Sequence, residues 1–251
     1  MPTSHRRLDL AAWLGSLPPT DSGHLLIGGT GHLLLSPLEQ AQAAKHLQTR
    51  VLPALLSAPK PQGITLITGL APGADLLFKR LAADWLTRAD IAFEAVALLP
   101  VPVDVLIGDW VAKSHEQWTP VAAIELDAMR AKLDAMLADC DTVVDLLPDG
   151  TAPDQLQDGS FRQQQYRRLA ACLAEQPDVL IALLRAQNLQ QPGGTAEVVE
   201  WRRNPMRVPP EFSTLSLRRP APGGRLMVID PAVAVLDDWR GGDAPSGSRK
   251  Q

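Results

Sequence analysis

The sequence predicts an α/β protein in which a doubly wound, mainly parallel sheet carries helices on both faces. Two observations lead to this fold class. Short apolar segments typical of strands alternate along the chain with longer segments of helical periodicity. One of these segments, residues 179–184, is apolar throughout, as expected of a strand that is buried on both faces. The chain has 251 residues, 45% of them hydrophobic, which is enough for one domain of this kind.

The predicted elements follow one another in a regular order. Strands are expected at residues 24–27, 64–68, 95–99, 142–147, 179–184 and 225–230. Helices are expected at residues 8–17, 37–50, 76–85, 104–118, 121–137, 161–175 and 195–203. The second helix has the clearest start, because Ser36 can cap it, Pro37 fits its first position and Glu39 completes a capping box. Pro53 is expected to end or kink this helix.

We expect one domain over residues 1–240, which begins with a short helix within residues 1–20. Residues 205–224 are rich in Pro, Arg and Ser, and they are predicted to form an irregular excursion before the last strand. Residues 241–251 have the composition of a disordered tail. The sequence contains no internal repeat.

Charge and cysteine content exclude several classes of function. The formal net charge is −4, so the chain lacks the positive surface that general nucleic-acid binding requires. Cys140 and Cys172 are not at metal-ligand spacing and no His cluster accompanies them, so no metal and no cofactor are expected. No apolar run approaches the ~18 residues of a membrane span. Asp9 interrupts the apolar run near the N-terminus, which argues against a signal peptide and favours a cytoplasmic protein.

Three glycine-containing turns each follow a predicted strand and precede a predicted helix. In a parallel sheet the carboxyl ends of the strands share one edge, so we expect the three turns to converge there on a ligand. The residues expected to contact this ligand are Gly28, Gly29, Thr30, Gly31, His32, Gly69, Gly73, Ala74, Asp75, Gly193, Gly194 and Thr195.

The chemistry of the turns favours a nucleotide-derived sugar phosphate over a bare anion. Glycine turns present backbone N–H groups to phosphate, whereas Glu197 would repel phosphate but accept hydrogen bonds from ribose hydroxyls. His32 would add a group that titrates near neutrality, and a histidine hydrogen-bonded within its own loop is the alternative. Asp75 either contacts the ligand or complements its helix dipole. An ordinary turn and helix cap is the alternative for the turn at Gly193.

Three stretches of the sequence resemble the SLOG superfamily, which includes DNA-processing protein A and the LOG-type phosphoribohydrolases. They are the Ile-Gly-Gly-Thr-Gly-His segment at residues 27–32, the Thr-Gly-Leu-Ala-Pro-Gly-Ala-Asp segment at 68–75 and the Gly-Gly-Thr-Ala-Glu-Val-Val-Glu segment at 193–200. The resemblance covers roughly residues 25–203. It implies a Rossmann-like fold, the sensing of a nucleotide-derived ligand and a homo-oligomer.

The sequence departs from this family pattern at three places. Leu33 stands where relatives often carry an arginine, so one expected phosphate contact is absent. Leu184-Arg185-Ala186 replaces the Trp-Asp-Gly that often follows the last core strand. Val198 stands where the LOG-type hydrolases place their catalytic glutamate.

Two functions compete on this evidence. The first is binding or sensing of a nucleotide-derived ligand without substantial turnover. The alternative is an N-glycosidase of the LOG type, in which Glu197 or Glu200 acts on the sugar and Arg167 holds the phosphate. DNA binding in the manner of the processing protein is disfavoured by the acidic charge balance.

Overall fold

A single mixed sheet with helices on both faces forms the framework of the protein, which confirms the predicted fold class. The computed structural model describes residues 5–19, 22–55, 61–116, 126–185, 192–218, 224–233 and 235–240. The predicted tail at 241–251 lies outside the described residues, as do residues 117–125 and 219–223 and Ala186. No helix among the described residues is both long and apolar enough to cross a membrane.

The sheet has eight strands within the described residues, and seven of them are mutually parallel. The strands are β1 (Arg6–Asp9), β2 (His24–Gly31), β3 (Gly63–Thr68), β4 (Phe93–Leu99), β5 (Thr142–Asp145), β6 (Val179–Leu183), β7 (Arg225–Asp230) and β8 (Val235–Arg240). Their spatial order is β1-β5-β4-β3-β2-β6-β7-β8, with β8 antiparallel to β7.

Helices connect the parallel strands. They are α1 (Leu10–Ser16), α2 (Pro37–His46), α3 (Leu52–Leu55), α4 (Ala74–Arg88), α5 (Val103–Glu116), α6 (Leu126–Ala138), α7 (Gly159–Glu175) and α8 (Thr195–Arg203). The capping box that Ser36 and Glu39 predict is present at the start of α2. A wide turn of π geometry, Leu47–Val51, joins α2 to α3 just before Pro53.

The strand order reverses at β2, and this reversal determines where a ligand site can form. The chain proceeds from β2 outward to β5, then α7 carries it back so that β6 pairs with the other side of β2. Helices α2 to α6 cover one face, whereas α1, α7 and α8 cover the other. Within β6, Leu180 therefore faces the α7 side while Ile181 faces the α4 side. A crevice opens beyond the carboxyl ends of strands at such a switch point.

The N-terminal segment differs from the prediction of a helix at residues 8–17. Residues Arg6–Asp9 form β1, which pairs with β5, and the helix is confined to Leu10–Ser16. β1 is a short edge strand, in which Arg6 forms an ion pair with Glu94 of β4 and Arg7 forms one with Asp145 of β5. Edge strands commonly carry such charges, so this one has no apolar run to mark it in the sequence.

The sequence predicts that the strand at 225–230 is the last one, but the structure has a further strand after it. β8 follows it and pairs with it in antiparallel register. Its residues are mostly exposed, and the paired Arg225 and Asp238 join the two strands side by side. The described part of the excursion, residues 205–218, holds a single turn of 3-10 helix, Pro205–Arg207, and otherwise turns and irregular segments.

The first glycine turn was predicted to begin at Gly28, but β2 continues to Gly31. Gly28 and Gly29 lie inside the strand, and the absence of a side chain there lets helices and loops approach the sheet. A Cβ on Gly29 would lie 1.9 Å from the Phe78 ring of α4, and one on Gly28 would lie 2.6 Å from Pro177. These two glycines serve packing rather than ligand contact, which corrects their predicted role.

Candidate ligand-binding crevice

A crevice with a volume of about 160 Å³ opens at the switch point, beyond the carboxyl ends of β2, β3 and β4. Eight of the predicted site residues line it, namely Thr30, Gly31, His32, Gly69, Asp75, Gly193, Gly194 and Thr195. The three predicted turns therefore meet at one rim, although they are far apart in the sequence.

Gly73 and Ala74 do not line the crevice and instead hold its walls together. A Cβ on Gly73 would lie 2.4 Å from the carbonyl oxygens of His32 and Leu33, so only glycine allows the two loops to touch here. The backbone N–H of Ala74 donates to the carbonyl of His32 at 3.0 Å. The start of α4 is consequently occupied by the chain that follows β2, and it is less available to a ligand than predicted.

His32 joins the ends of the two strands that flank the switch point. Its imidazole is buried, and its Nε2 accepts a hydrogen bond of 2.9 Å from the backbone N–H of Arg185. Burial, with the neighbouring Arg185 guanidinium, lowers the pKa of His32 to about 4. The residue is therefore neutral at physiological pH, which contradicts the prediction of a group titrating near neutrality and fits the alternative of a hydrogen-bonded loop histidine.

Arg185 fastens the end of β6 to the start of α2. Its guanidinium Nη2 donates to Glu39 Oε2 at 2.9 Å and to the carbonyl of Leu34 at 3.0 Å. Hydrogen bonds from Arg185, and from Ser36 of the capping box, lower the pKa of Glu39 to about 2. This ion pair and His32 together hold the crevice rim in place from outside.

Asp75 supplies the only carboxyl group among the described residues that line the crevice. The side chain is buried, and its Oδ2 accepts a hydrogen bond of 3.4 Å from the backbone N–H of Ala71. Its Oδ1 is buried without a hydrogen-bond partner in the described part of the protein. Burial raises the pKa of Asp75 to about 7, although the nearby Thr68 hydroxyl and the N–H groups of the surrounding loops, which favour the charged form, oppose the rise.

The start of α8 lines the crevice. Gly194 is the residue before the first helical turn, Thr195 begins the helix, and no described side chain caps it. Gly193 has a φ of +74°, and its Cα lies so close to α7 that an added Cβ would be 2.8 Å from that of Tyr166. The N–H groups and the positive end of the helix dipole at such a terminus favour an anion.

The predicted catalytic residues lie outside the crevice lining. Glu197 forms an ion pair with Arg167, whose Nη2 lies 2.9 Å from Oε1, and it also accepts the backbone N–H of Gly193 at 2.6 Å. Glu200 pairs with Arg207 near the other end of α8. The Arg167 guanidinium stacks 4.9 Å from the Phe212 ring and 5.3 Å from the Trp201 ring. Glu197 and Arg167 therefore join α8 to α7, which leaves the predicted hydrolase without its carboxylate in the crevice.

One wall of the crevice is formed by α5, and this contribution was not predicted from the sequence. Trp110 and Lys113 line the crevice, three residues apart and therefore on one helix face. Lys113 is the only cationic side chain among the described lining residues, and its ammonium lies 4.8 Å from the Tyr166 ring centroid. Tyr166 in turn donates to Asp109 Oδ2 at 3.0 Å. The position of α5 directly after β4 is the signal that placed it at this edge.

No protein-family model, curated protein or solved structure matches the chain. The described residues hold no group of three or more His, Cys, Asp or Glu side chains suited to a metal ion. Fold and site together define a Rossmann-like α/β protein with an open crevice at the switch point of its sheet. Any function assigned to it depends on the chemistry of the groups in that crevice.

Proposed function

We propose that this protein binds a nucleotide-derived ligand, one that contains a sugar phosphate, in the crevice at the switch point. One observation carries the proposal: the first residues of α8, Lys113 and Asp75 line the same small cavity. A phosphate needs donors and positive charge, whereas a sugar needs acceptors. The crevice offers both kinds of group.

The phosphate is assigned to the start of α8. No side chain of the described residues caps its first turn, and Thr195, which carries a hydroxyl, lines the crevice there. Lys113 adds a full positive charge to the described part of the lining. The beginning of α4 is a poorer anion site, because the Ala74 N–H is already bonded to the His32 carbonyl.

The remaining surface of the crevice suits the uncharged part of the ligand. Apolar side chains from three helices and from the loops form its walls, among them Leu106, Trp110, Leu169 and Leu173. The volume of about 160 Å³ is below the ~300 Å³ of a typical ligand pocket. The enclosed space therefore takes the sugar phosphate, and the base extends through the open side.

Ligand sensing of the SLOG type is the proposed role, with the chain a distant member of that superfamily. The segments 68–75 and 193–200, which resemble SLOG motifs, both contribute residues to the crevice, and this supports the assignment. Binding is favoured over hydrolysis, because Glu197 and Glu200 are held in ion pairs away from the lining.

Calorimetric titration with AMP, GMP, CMP and UMP, each beside its unphosphorylated nucleoside, tests the proposal. We expect at least one monophosphate to bind and its nucleoside to bind far more weakly. Ala196→Glu places a carboxylate in the first turn of α8, where it favours the helix but repels an anion in the crevice. This variant is expected to fold and to lose binding.

Ala41→Glu is the matched control, since it adds the same charge at an exposed position of α2. It is expected to bind as the unmodified protein does. Binding that survives Ala196→Glu would place the ligand elsewhere, and release of free base from any monophosphate would restore the hydrolase alternative.

A further inference from the structure

We propose that Asp75 determines which ligands the crevice accepts: its free Oδ1 takes a hydrogen bond from a sugar hydroxyl, and protonation of the carboxylate weakens binding. This inference rests on the proposed function and specifies it. It assigns to Asp75 a preference for ribose over sugars that lack the 2′- and 3′-hydroxyls.

The two oxygens of Asp75 have different surroundings. Oδ2 faces the loop after β3, where the N–H of Ala71 bonds to it and the Cα of Gly69 packs beside it. Oδ1 has no partner among the described residues, although Asp75 is only 4% exposed and lines the crevice. A buried acceptor without a donor is unfavourable, and more so when it is charged. A ligand donor at this position removes that penalty.

A hydroxyl fits this position better than a phosphate does. An ionised carboxylate and a phosphate repel each other at short range in a buried site. The phosphate has its own donors at the start of α8 and at Lys113. A sugar hydroxyl, in contrast, can donate to Oδ1 and gains a charge-assisted hydrogen bond.

Asp75 is also the group in the crevice whose charge changes near neutral pH. Among the described lining residues, the other titratable groups are His32 from the loop after β2, Lys113 from α5 and Tyr166 from α7. Burial keeps His32 neutral, with a pKa of about 4, and raises the pKa of Tyr166 above its ordinary value. Lys79, one turn along α4, is buried and donates to the carbonyl of Met136 rather than to Asp75.

The test compares each nucleoside monophosphate that binds with its 2′,3′-dideoxy counterpart by calorimetry at pH 8. We expect the ribonucleotide to bind roughly 10- to 100-fold more tightly, as for a hydrogen bond to a charged group. Asp75→Asn is expected to reduce this ratio to about 3-fold or less. Asp84→Asn, an exposed position on the same helix, is the matched control and retains the full ratio.

A second measurement needs no variant and so does not depend on how Asp75→Asn folds. In the unmodified protein the ratio of the two affinities is expected to fall severalfold between pH 8 and pH 6. Because both ligands carry the same phosphate, its own titration cancels from the ratio. Equal binding of ribonucleotide and dideoxynucleotide at pH 8, or a ratio independent of pH, overturns the role of Asp75 and leaves the proposed function standing. Failure of every monophosphate to bind overturns both.

Discussion

Replacing Asp75 by asparagine is expected to change how the stability of the ligand-free protein depends on pH. The side chain is buried, and its pKa is about 7 in the folded protein compared with an ordinary value of 3.8. The folded state therefore binds a proton more tightly than the unfolded state does. The stability is largest below pH 3.8, declines as the pH rises and levels off above pH 7.

The size of the effect follows from the two pKa values. At 1.36 kcal/mol per pKa unit, ionised Asp75 lowers the free energy of unfolding by roughly 4 kcal/mol. About 2–3 kcal/mol of this loss in the free energy of unfolding occurs between pH 5 and pH 8, and most of it occurs below pH 7. Asparagine has almost the same shape, keeps an oxygen for the Ala71 N–H and carries no charge. Its contribution to stability is independent of pH.

Urea unfolding at pH 5, 6, 7 and 8 measures this difference. The free energy of unfolding of Asp75→Asn minus that of the unmodified protein should rise by roughly 2–3 kcal/mol from pH 5 to pH 8. Subtraction removes the titration of all groups that the two proteins share. Asp84→Asn should give a constant difference. A constant difference for Asp75→Asn as well would show that the carboxyl is not desolvated, which would refute the reasoning.

Two other substitutions test the packing beside the crevice and the ion pair that joins α7 to α8. Gly29→Ala brings a Cβ within 1.9 Å of the Phe78 ring, so we expect it to lower the free energy of unfolding by about 3 kcal/mol. Gly15→Ala is the control: no atom lies within 4 Å of its Cβ, so it should be neutral or slightly stabilising. Glu197→Gln removes the charged partner of Arg167 and should lower the free energy of unfolding by about 1–2 kcal/mol, with nucleotide affinity unchanged. Loss of nucleotide affinity in a folded Glu197→Gln variant would instead show that Glu197 contacts the ligand.

The parallel core of the fold was predictable because its strands and helices repeat a strong pattern. The buried strands β4 and β6 carry continuous apolar runs, and Ser36 and Glu39 mark the start of α2. The two edge strands escaped prediction for the converse reason. β1 and β8 are mostly exposed and rich in charged residues, so tertiary pairing decides their conformation.

The position of the site was predictable from topology, whereas the chemistry of its members was not. A parallel sheet places the turns before α4 and α8 at one edge, so Asp75 and Gly194 meet there. Burial, however, is a property of the folded structure. Burial lowers the pKa of His32 and raises the pKa of Asp75, and no local sequence pattern predicts either shift.

The structural role of Glu197 and Arg167 was not predictable from the sequence for a similar reason. Arg167 and Glu197 are 30 residues apart in the sequence, and only the packing of α7 against α8 brings them into an ion pair. A glutamate in the first helical turn after a glycine pair can serve as catalyst or as structural partner. The sequence alone leaves both roles open, and the ion pair favours the structural one.

The most direct test of the central claim is a structure of the protein with the tightest-binding nucleoside monophosphate. The account predicts a phosphate within hydrogen-bonding distance of the N–H groups of Thr195 and Ala196, and a ribose hydroxyl within that distance of Asp75 Oδ1. A nucleotide bound away from the start of α8, for example beside β7 and β8, would contradict it.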